Sequence, residues 1–329
     1  MSAATLGKVV DRNLALELVR VTEAGAIAAS QWIGRGDKNS ADGAAVDAMR
    51  RAFDTVAITG TVVIGEGEMD EAPMLYIGEK IGLGGPEVDI AVDPLEGTSI
   101  TAKGGPNAIA TLALAEKGGF LHAPDIYMDK IAIGPGFPEG LVDLDASVEE
   151  NLRALARAKK CEVGDLMVCT LDRDRHKAMI KACRAAGARI TLLGDGDVSG
   201  VIAVSQPETG IDIYIGSGGA PEGVLAAAAL RCIGGQLQGR LLFENDEQVE
   251  RARGMGVTNP QRKYSVEEMA QGEVMFAATG VTTGPMLRGV RRTGHGAITH
   301  SMVMRSKSGT VRYVEGHHNY DRKPLPFFG

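Results

Sequence analysis

The chain has 329 residues, 44% of them apolar, with 42 acidic against 35 basic residues and a net charge of −7. That length suits two linked α/β layers, and an acidic chain with a single tryptophan lacks the basic face and stacking platform of a nucleic-acid binder. No run reaches the roughly 18 unbroken apolar residues of a membrane helix, and the start, MSAATLGKVVDRN, has no signal-peptide core, so the reading is a cytoplasmic protein without a membrane partner.

In chain order, Asp11 reads as the cap of a helix running to about Trp32, with Leu14, Leu18, Val21, Gly25, Ala28 and Trp32 on its buried face. GRGDKNSADG (Gly34 to Gly43) reads as a polar loop, followed by a second helix that turns Ala45, Met49 and Phe53 inward. A strand TVVIG, an acid-rich loop EGEMDEAP, a strand VDIAVD (Val88 to Asp93) and an apolar strand AIATLALA follow. Ser147 and Glu150 form a capping box for a helix to about Lys160. Beyond it strands and helices alternate: LMVCTL, a helix from Asp174, RITLLG, the DGD loop, IDIYIG and a helix from Glu222. Ile298 to Glu315 reads as two strands around an SKSG turn, with a loose tail in which His317 and His318 are solvated. The boundary falls near residue 150, giving units 1–150 and 151–329. The four cysteines, Cys161, Cys169, Cys183 and Cys232, form no CxxC pair and read as reduced, buried thiols.

Carboxylates gather in glycine-rich turns: Asp37 and Asp42 in RGDKNSADG, Glu66, Glu68, Asp70 and Glu71 in GEGEMDE, and Asp93 and Glu96 in DPLEGT. In DPLEGT, Asp93 ends a strand, Pro94 fixes the turn and Glu96 swings back. The Leu95 carbonyl can join them, and a cation between the carboxylates removes their repulsion. Hard divalent ions such as Mg²⁺ take such oxygen ligands. HExxH is absent, so zinc has no support. Gly97 and Thr98 open a helix whose free N–H groups suit a phosphate, and the Thr98 hydroxyl stands where it can orient a water. Each acid also has a plain reading: Asp42 as a helix cap, Glu68 and Glu71 as solvent-facing, Glu222 as an acid favoured at a helix start behind Pro221. Among them Glu66, directly after an apolar strand, is the better ligand candidate.

The segments IGEGE, DPLEGT, APDIYM, DGDV and GGAPEG, in this order, resemble class II fructose-1,6-bisphosphatase, within the lithium-sensitive, metal-dependent phosphatases that include the inositol monophosphatases. The likeness runs from about Arg12 to beyond Gly280. It implies a layered αβαβα sugar-phosphatase fold with two α/β halves, an N-terminal metal-binding one and a C-terminal substrate-binding one. It also implies two or more Mg²⁺ or Mn²⁺ ions on Asp42, Glu66, Asp93, Glu96 and Glu222, with Thr98, Asp70 and Lys38 in catalytic roles. The substrate positions it implies are Glu96, Gly97, Thr98, Tyr127, Arg173, Asp174, Arg175, Asp195, Gly196, Asp197 and Gly219. Arginine forks suit phosphate, but relatives often carry Lys-Pro where this chain has Asp174. The chain lacks the Trp-Asp motif of inositol monophosphatases, and DPLEGT has glutamate where that branch has aspartate. The implied reaction removes the C1 phosphate of fructose 1,6-bisphosphate in gluconeogenesis, with sedoheptulose 1,7-bisphosphate as a further sugar bisphosphate and a homo-oligomer as the state. The alternatives are an inositol- or nucleotide-type monophosphatase on the same metal core and a non-catalytic sugar-phosphate-binding regulator. A P-loop protein is excluded by the absence of GxxxxGK[ST].

Overall fold

The computed structural model describes residues 3–67 and 74–322, with side chains from residue 13 onward. Two compact units emerge: residues 1–120 with 272–329, and residues 121–271. The sequence reading of one cut near residue 150 is therefore corrected. The chain leaves the first sheet earlier, after Phe120, and comes back to it for its last strands, a long-range pairing that no local composition shift announces.

The first unit begins with helix α1 (Ala3–Ser30), which starts before Asp11, so Asp11 is helical and not its cap. Leu14, Leu18, Val21, Gly25 and Ala28 are buried as predicted, and Trp32 is partly so. Helix α2 (Lys38–Phe53) also starts earlier than expected, because Asp37 caps it: its carboxylate accepts from Ser40 N at 3.0 Å and from Ser40 Oγ at 2.7 Å. Asp42 is thus one turn inside the helix and is not a cap, while Ala45, Met49 and Phe53 face the core. Strands β1 (Thr59–Ile64), β2 (Lys80–Ile81) and β3 (Glu87–Glu96) follow, then the short helix α3 (Thr98–Lys103) and strand β4 (Ile109–Glu116).

The second unit holds β5 (Tyr127–Ile133), α4 (Val148–Lys159), β6 (Met167–Leu171), α5 (Lys177–Ala185), β7 (Arg189–Leu193), α6 (Asp197–Ile202) and β8 (Ile213–Gly219). It continues through α7 (Ala220–Ile233), β9 (Gln236–Leu242), α8 (Asp246–Gly254), β10 (Lys263–Ser265) and α9 (Val266–Met269). The Ser147–Glu150 capping box is present at α4. Its sheet runs β10-β9-β5-β8-β6-β7, with β6 parallel to both β7 and β8 and with β5 antiparallel to β8 and β9. Leu152, Leu155 and Ala156 of α4 and Cys183 of α5 close one core over Ile131, Ile133, Val168 and Ile213.

The chain then adds β11 (Val274–Gly280), β12 (Arg291–Thr293), β13 (Gly296–Arg305) and β14 (Thr310–Asn319) to the first sheet, whose order is β12-β13-β11-β4-β3-β1-β2 with β14 on β13. The predicted strand pair around SKSG is there, His317 is exposed as predicted, and the last residues of the tail, 323–329, lie outside the described residues. His317 and His318 lie in β14, and His318 Nε2 stands 3.0 Å from Thr299 Oγ1, an inner residue of β13. The core beneath this sheet is built from α1 and α2, including Leu18, Met49 and Phe53, against Ile90, Leu112 and Ala277. Both units are mixed α/β.

Candidate active site

Strand direction explains the first cluster. β1 and β3 are parallel neighbours, so their carboxyl ends reach the same sheet edge. Glu66 follows β1 there, and Asp93 and Glu96 end β3 there. The strand does not stop at Asp93 as predicted. It continues through DPLE, and its pairing with β4 skips: Asp93 opposes Thr111 and Glu96 opposes Ile109, one extra residue on the β3 side. That is a bulge around Pro94, which has no N–H for the ladder. Asp93 Oδ1 accepts from Leu95 N at 3.1 Å, and Glu96 is buried. Gly97 takes the left-handed conformation at φ +90°, where a side chain is strained, and Thr98 opens α3.

Asp42, on α2, lies within hydrogen-bond reach of Glu66, and burial pushes the Asp42 carboxyl above its ordinary range. Two acids so placed hold more negative charge than their surroundings solvate. An all-oxygen donor pair of this kind fits a hard divalent ion. Among the described residues, no group of three or more Asp, Glu, His or Cys side chains converges to hold a metal. The structure brings Asp42 and Glu66 together, and Asp93 Oδ1 accepts from the backbone of its own bulge. Lys38 is exposed at the first turn of α2. Asp70, with Glu68 and Glu71, lies outside the described residues.

The base of the Glu66 loop carries a clamp that sequence reading missed. Glu66 N donates to Leu75 O at 3.1 Å, and Ile77 N donates to Gly67 O at 2.9 Å. Leu75 is fully buried at φ +55°. Its N–H donates to Glu79 Oε2, while Arg50 Nε donates to Glu79 Oε1 at 2.5 Å.

The second unit gathers the predicted substrate residues by the same topological logic. The carboxyl ends of parallel β6, β7 and β8 and the amino end of antiparallel β5 share one sheet edge. Arg173 and Arg175 follow β6, Asp195 to Asp197 follow β7, Gly219 ends β8, and Tyr127 opens β5 opposite Gly219. Arg173 donates to Gly194 O at 2.6 Å and lies 3.6 Å from Asp195. The Arg175 guanidinium stacks 4.6 Å from the Tyr127 ring centroid and donates to Ser217 O at 2.8 Å and Ser217 Oγ at 3.0 Å. Asp174 is not drawn in: its side chain is 93% exposed and pairs with Lys177.

His176 fixes this arrangement from below. It is buried, its Nδ1–H donates to Leu171 O at 2.8 Å, and its Nε2 accepts from Ser217 N at 2.9 Å. Those two bonds define the neutral Nδ1–H tautomer. Asp197 is also buried. Its two oxygens accept from Tyr214 Oη and from Lys130 Nζ. Gly218 and Gly219 exist for close approach, since a Cβ at Gly218 would overlap the Asp197 carboxylate and one at Gly219 would overlap that of Glu222. Glu222 stands in the first turn of α7. Burial pushes its carboxyl up, Lys130 opposes that, and Asp197 and Asp125 reinforce it.

A sequence profile of the bacterial fructose-1,6-bisphosphatases, described as glpX-encoded, matches residues 12–318. The chain belongs to this family. Fructose-1,6-bisphosphatase 1 class 2 of Escherichia coli strain K12 is 46% identical over 327 residues, covering 95% of this chain and 97% of that protein. The class 2 enzymes of Escherichia coli O6:H1 and Shigella flexneri match with the same identity and coverage. The family resemblance read from IGEGE, DPLEGT and GGAPEG is thereby shown. What this class II fructose-1,6-bisphosphatase sequence did not reveal is the supporting set: Glu79, Lys130, His176 and Tyr214. The one available signal was the Gly218–Gly219 doublet, which announces close approach but not the partner.

Proposed function

We propose that this chain hydrolyses the C1 phosphate of fructose 1,6-bisphosphate, giving fructose 6-phosphate and inorganic phosphate. Family membership across residues 12–318 is the observation that carries the reading. The half-buried Asp42–Glu66 pair supports its metal dependence. Asp42, Glu66, Asp93, Glu96 and Glu222 would hold two or more Mg²⁺ or Mn²⁺ ions. When bound, such ions polarise the phosphoryl oxygens and supply a water of lowered pKa.

The chain's own residues then have separable tasks. Thr98 Oγ1 accepts a hydrogen bond from, and so orients, the water whose oxygen bonds to phosphorus as the bond to the C1 oxygen breaks, the proton the water loses ending on the departing C1 oxygen. Glu96, Gly97 and Thr98 position the leaving phosphate, with Lys38 and Asp70 in support. Arg175 and Arg173 take the remote phosphate, since a planar guanidinium meets phosphate bidentately. Arg175 is held flat by Tyr127 and Ser217, so little of its freedom is left to lose on binding. Gly196, Gly219 and Asp195 line the sugar side. Asp174 is assigned a backbone contact only, given its outward side chain. Among the described residues no helix is long and apolar enough to cross a membrane. A cytoplasmic homo-oligomer and action on sedoheptulose 1,7-bisphosphate complete the proposal.

The test is phosphate release with Mg²⁺ or Mn²⁺ from fructose 1,6-bisphosphate, sedoheptulose 1,7-bisphosphate and inositol 1-phosphate. Metal-dependent release from the first, lost in Glu96→Gln, supports the reading. Release from inositol 1-phosphate alone would replace it with a monophosphatase on the same metal core. No release from any would leave the non-catalytic regulator.

A further inference from the structure

Lys130 lies in the middle of β5 with its side chain fully buried. A buried ammonium is expensive unless every proton finds an acceptor. Here Nζ donates to Asp197 Oδ2 and to the Gly219 carbonyl at 2.7 Å. The other Asp197 oxygen accepts from Tyr214 Oη, and Tyr214 is itself fully buried. The stem is roofed by α7: a Cβ on Gly223 would come 2.6 Å from Met128 Sδ and 3.1 Å from Lys130 Cε, so glycine lets the helix ride this close. Lys130 thus ties together three segments far apart in sequence: β5, the turn Asp195–Asp197 at the start of α6, and the β8–α7 junction at Gly219.

Two of those segments carry residues of the proposed sugar site. The Asp195–Asp197 turn carries Asp195 and Gly196, and the β8–α7 junction carries Gly219 beside Tyr127. Asp197 has both oxygens engaged inside the protein, so it acts on the site through the backbone it anchors.

We propose that Lys130 is a positioning residue for the sugar site, its buried ammonium setting the spacing between the Asp195–Asp197 turn and Gly219. This rests on the sugar-bisphosphatase reading, and the experiment separates the two. In steady-state kinetics of the purified full chain with fructose 1,6-bisphosphate, wild-type turnover tests that reading alone. Lys130→Met keeps the stem and removes the charge. It should raise KM about tenfold or more while kcat falls less than about threefold, the split expected when binding geometry is lost and the chemistry is not. Tyr214→Phe leaves the ammonium in place and frees one Asp197 oxygen, and should raise KM about two- to fivefold. Calorimetry with fructose 6-phosphate should show weaker binding in the same order. A folded Lys130→Met with KM within twofold of wild type overturns the proposal, as does a loss of kcat at unchanged KM. If Lys130→Met fails to fold, Lys130→Arg and Tyr214→Phe decide: a raised KM in either supports the positioning role, and wild-type KM in both overturns it.

Discussion

Replacing Glu79 by alanine tests how the Glu66 loop is held. The Glu79 carboxylate serves two partners: Leu75 N–H on one oxygen and Arg50 Nε, at 2.5 Å, on the other. Leu75 is buried, so its N–H would lose its acceptor at a cost of about 1–3 kcal/mol. Arg50 would keep Asp54, 2.5 Å away, which limits the penalty of its lost partner to about 1 kcal/mol. Against this, Leu75 sits at φ +55°, and its release would recover about 1 kcal/mol of left-handed strain. The net expectation is about 1–3 kcal/mol. For a unit of this size that lowers the thermal midpoint by about 2–12 °C. Glu79→Gln keeps one carbonyl acceptor and should lose about half as much. Because Leu75 O also accepts from Glu66 N, both variants should weaken Mn²⁺ binding, read by the free-ion EPR signal. A Glu79→Ala protein that melts within 1 °C of wild type and binds Mn²⁺ unchanged would refute the clamp.

Three further expectations follow from the same geometry. His176→Phe removes the donor to Leu171 O and the acceptor for Ser217 N, which should cost about 2–4 kcal/mol of stability and raise KM as Arg175 loosens, measured by thermal melting and kinetics. Gly97→Ala forces a side chain into φ +90° with Ile100 Cδ1 3.1 Å from the new Cβ; about 1–2 kcal/mol of strain beside Thr98 should appear as lost kcat in the phosphate-release assay. Burial pushes the thiols of Cys169 and Cys183 up from 9.0 to about 12 and about 11. The unfolded chain therefore loses these protons first, so stability present below pH 9.0 should fall as pH rises toward 11 and 12, and Cys169→Ala should flatten that limb in urea unfolding.

Much of the fold was legible because it rests on local signals. The Ser147–Glu150 box and the inward row Ala45, Met49 and Phe53 are properties of single segments. The missed features are non-local. The start of α2 moved because Asp37, and not Asp42, found Ser40 N–H. The unit boundary moved because β11 pairs with β4 across the whole second unit. At the site, DPLEGT and GGAPEG marked where chemistry belongs, DPLEGT because two carboxylates crowded at a strand end repel each other unless a cation lies between them. Lys130, Tyr214, His176 and Glu79 carry no such mark. Each looks ordinary in its own strand, helix or loop, and only tertiary packing brings it under the residues it supports.

The Asp42–Glu66 pair and the DPLEGT bulge are the proposed seat of the divalent ions at which the C1 phosphate leaves. The most direct measurement follows fructose 1,6-bisphosphate by ³¹P NMR with Mg²⁺ present, using wild type and Asp42→Asn. With that ligand set, the C1 phosphate signal should convert to inorganic phosphate while the C6 signal persists, and Asp42→Asn, folded as judged by circular dichroism, should abolish the conversion at the same Mg²⁺ concentration. Loss of the C6 phosphate, or wild-type conversion by Asp42→Asn, would contradict it.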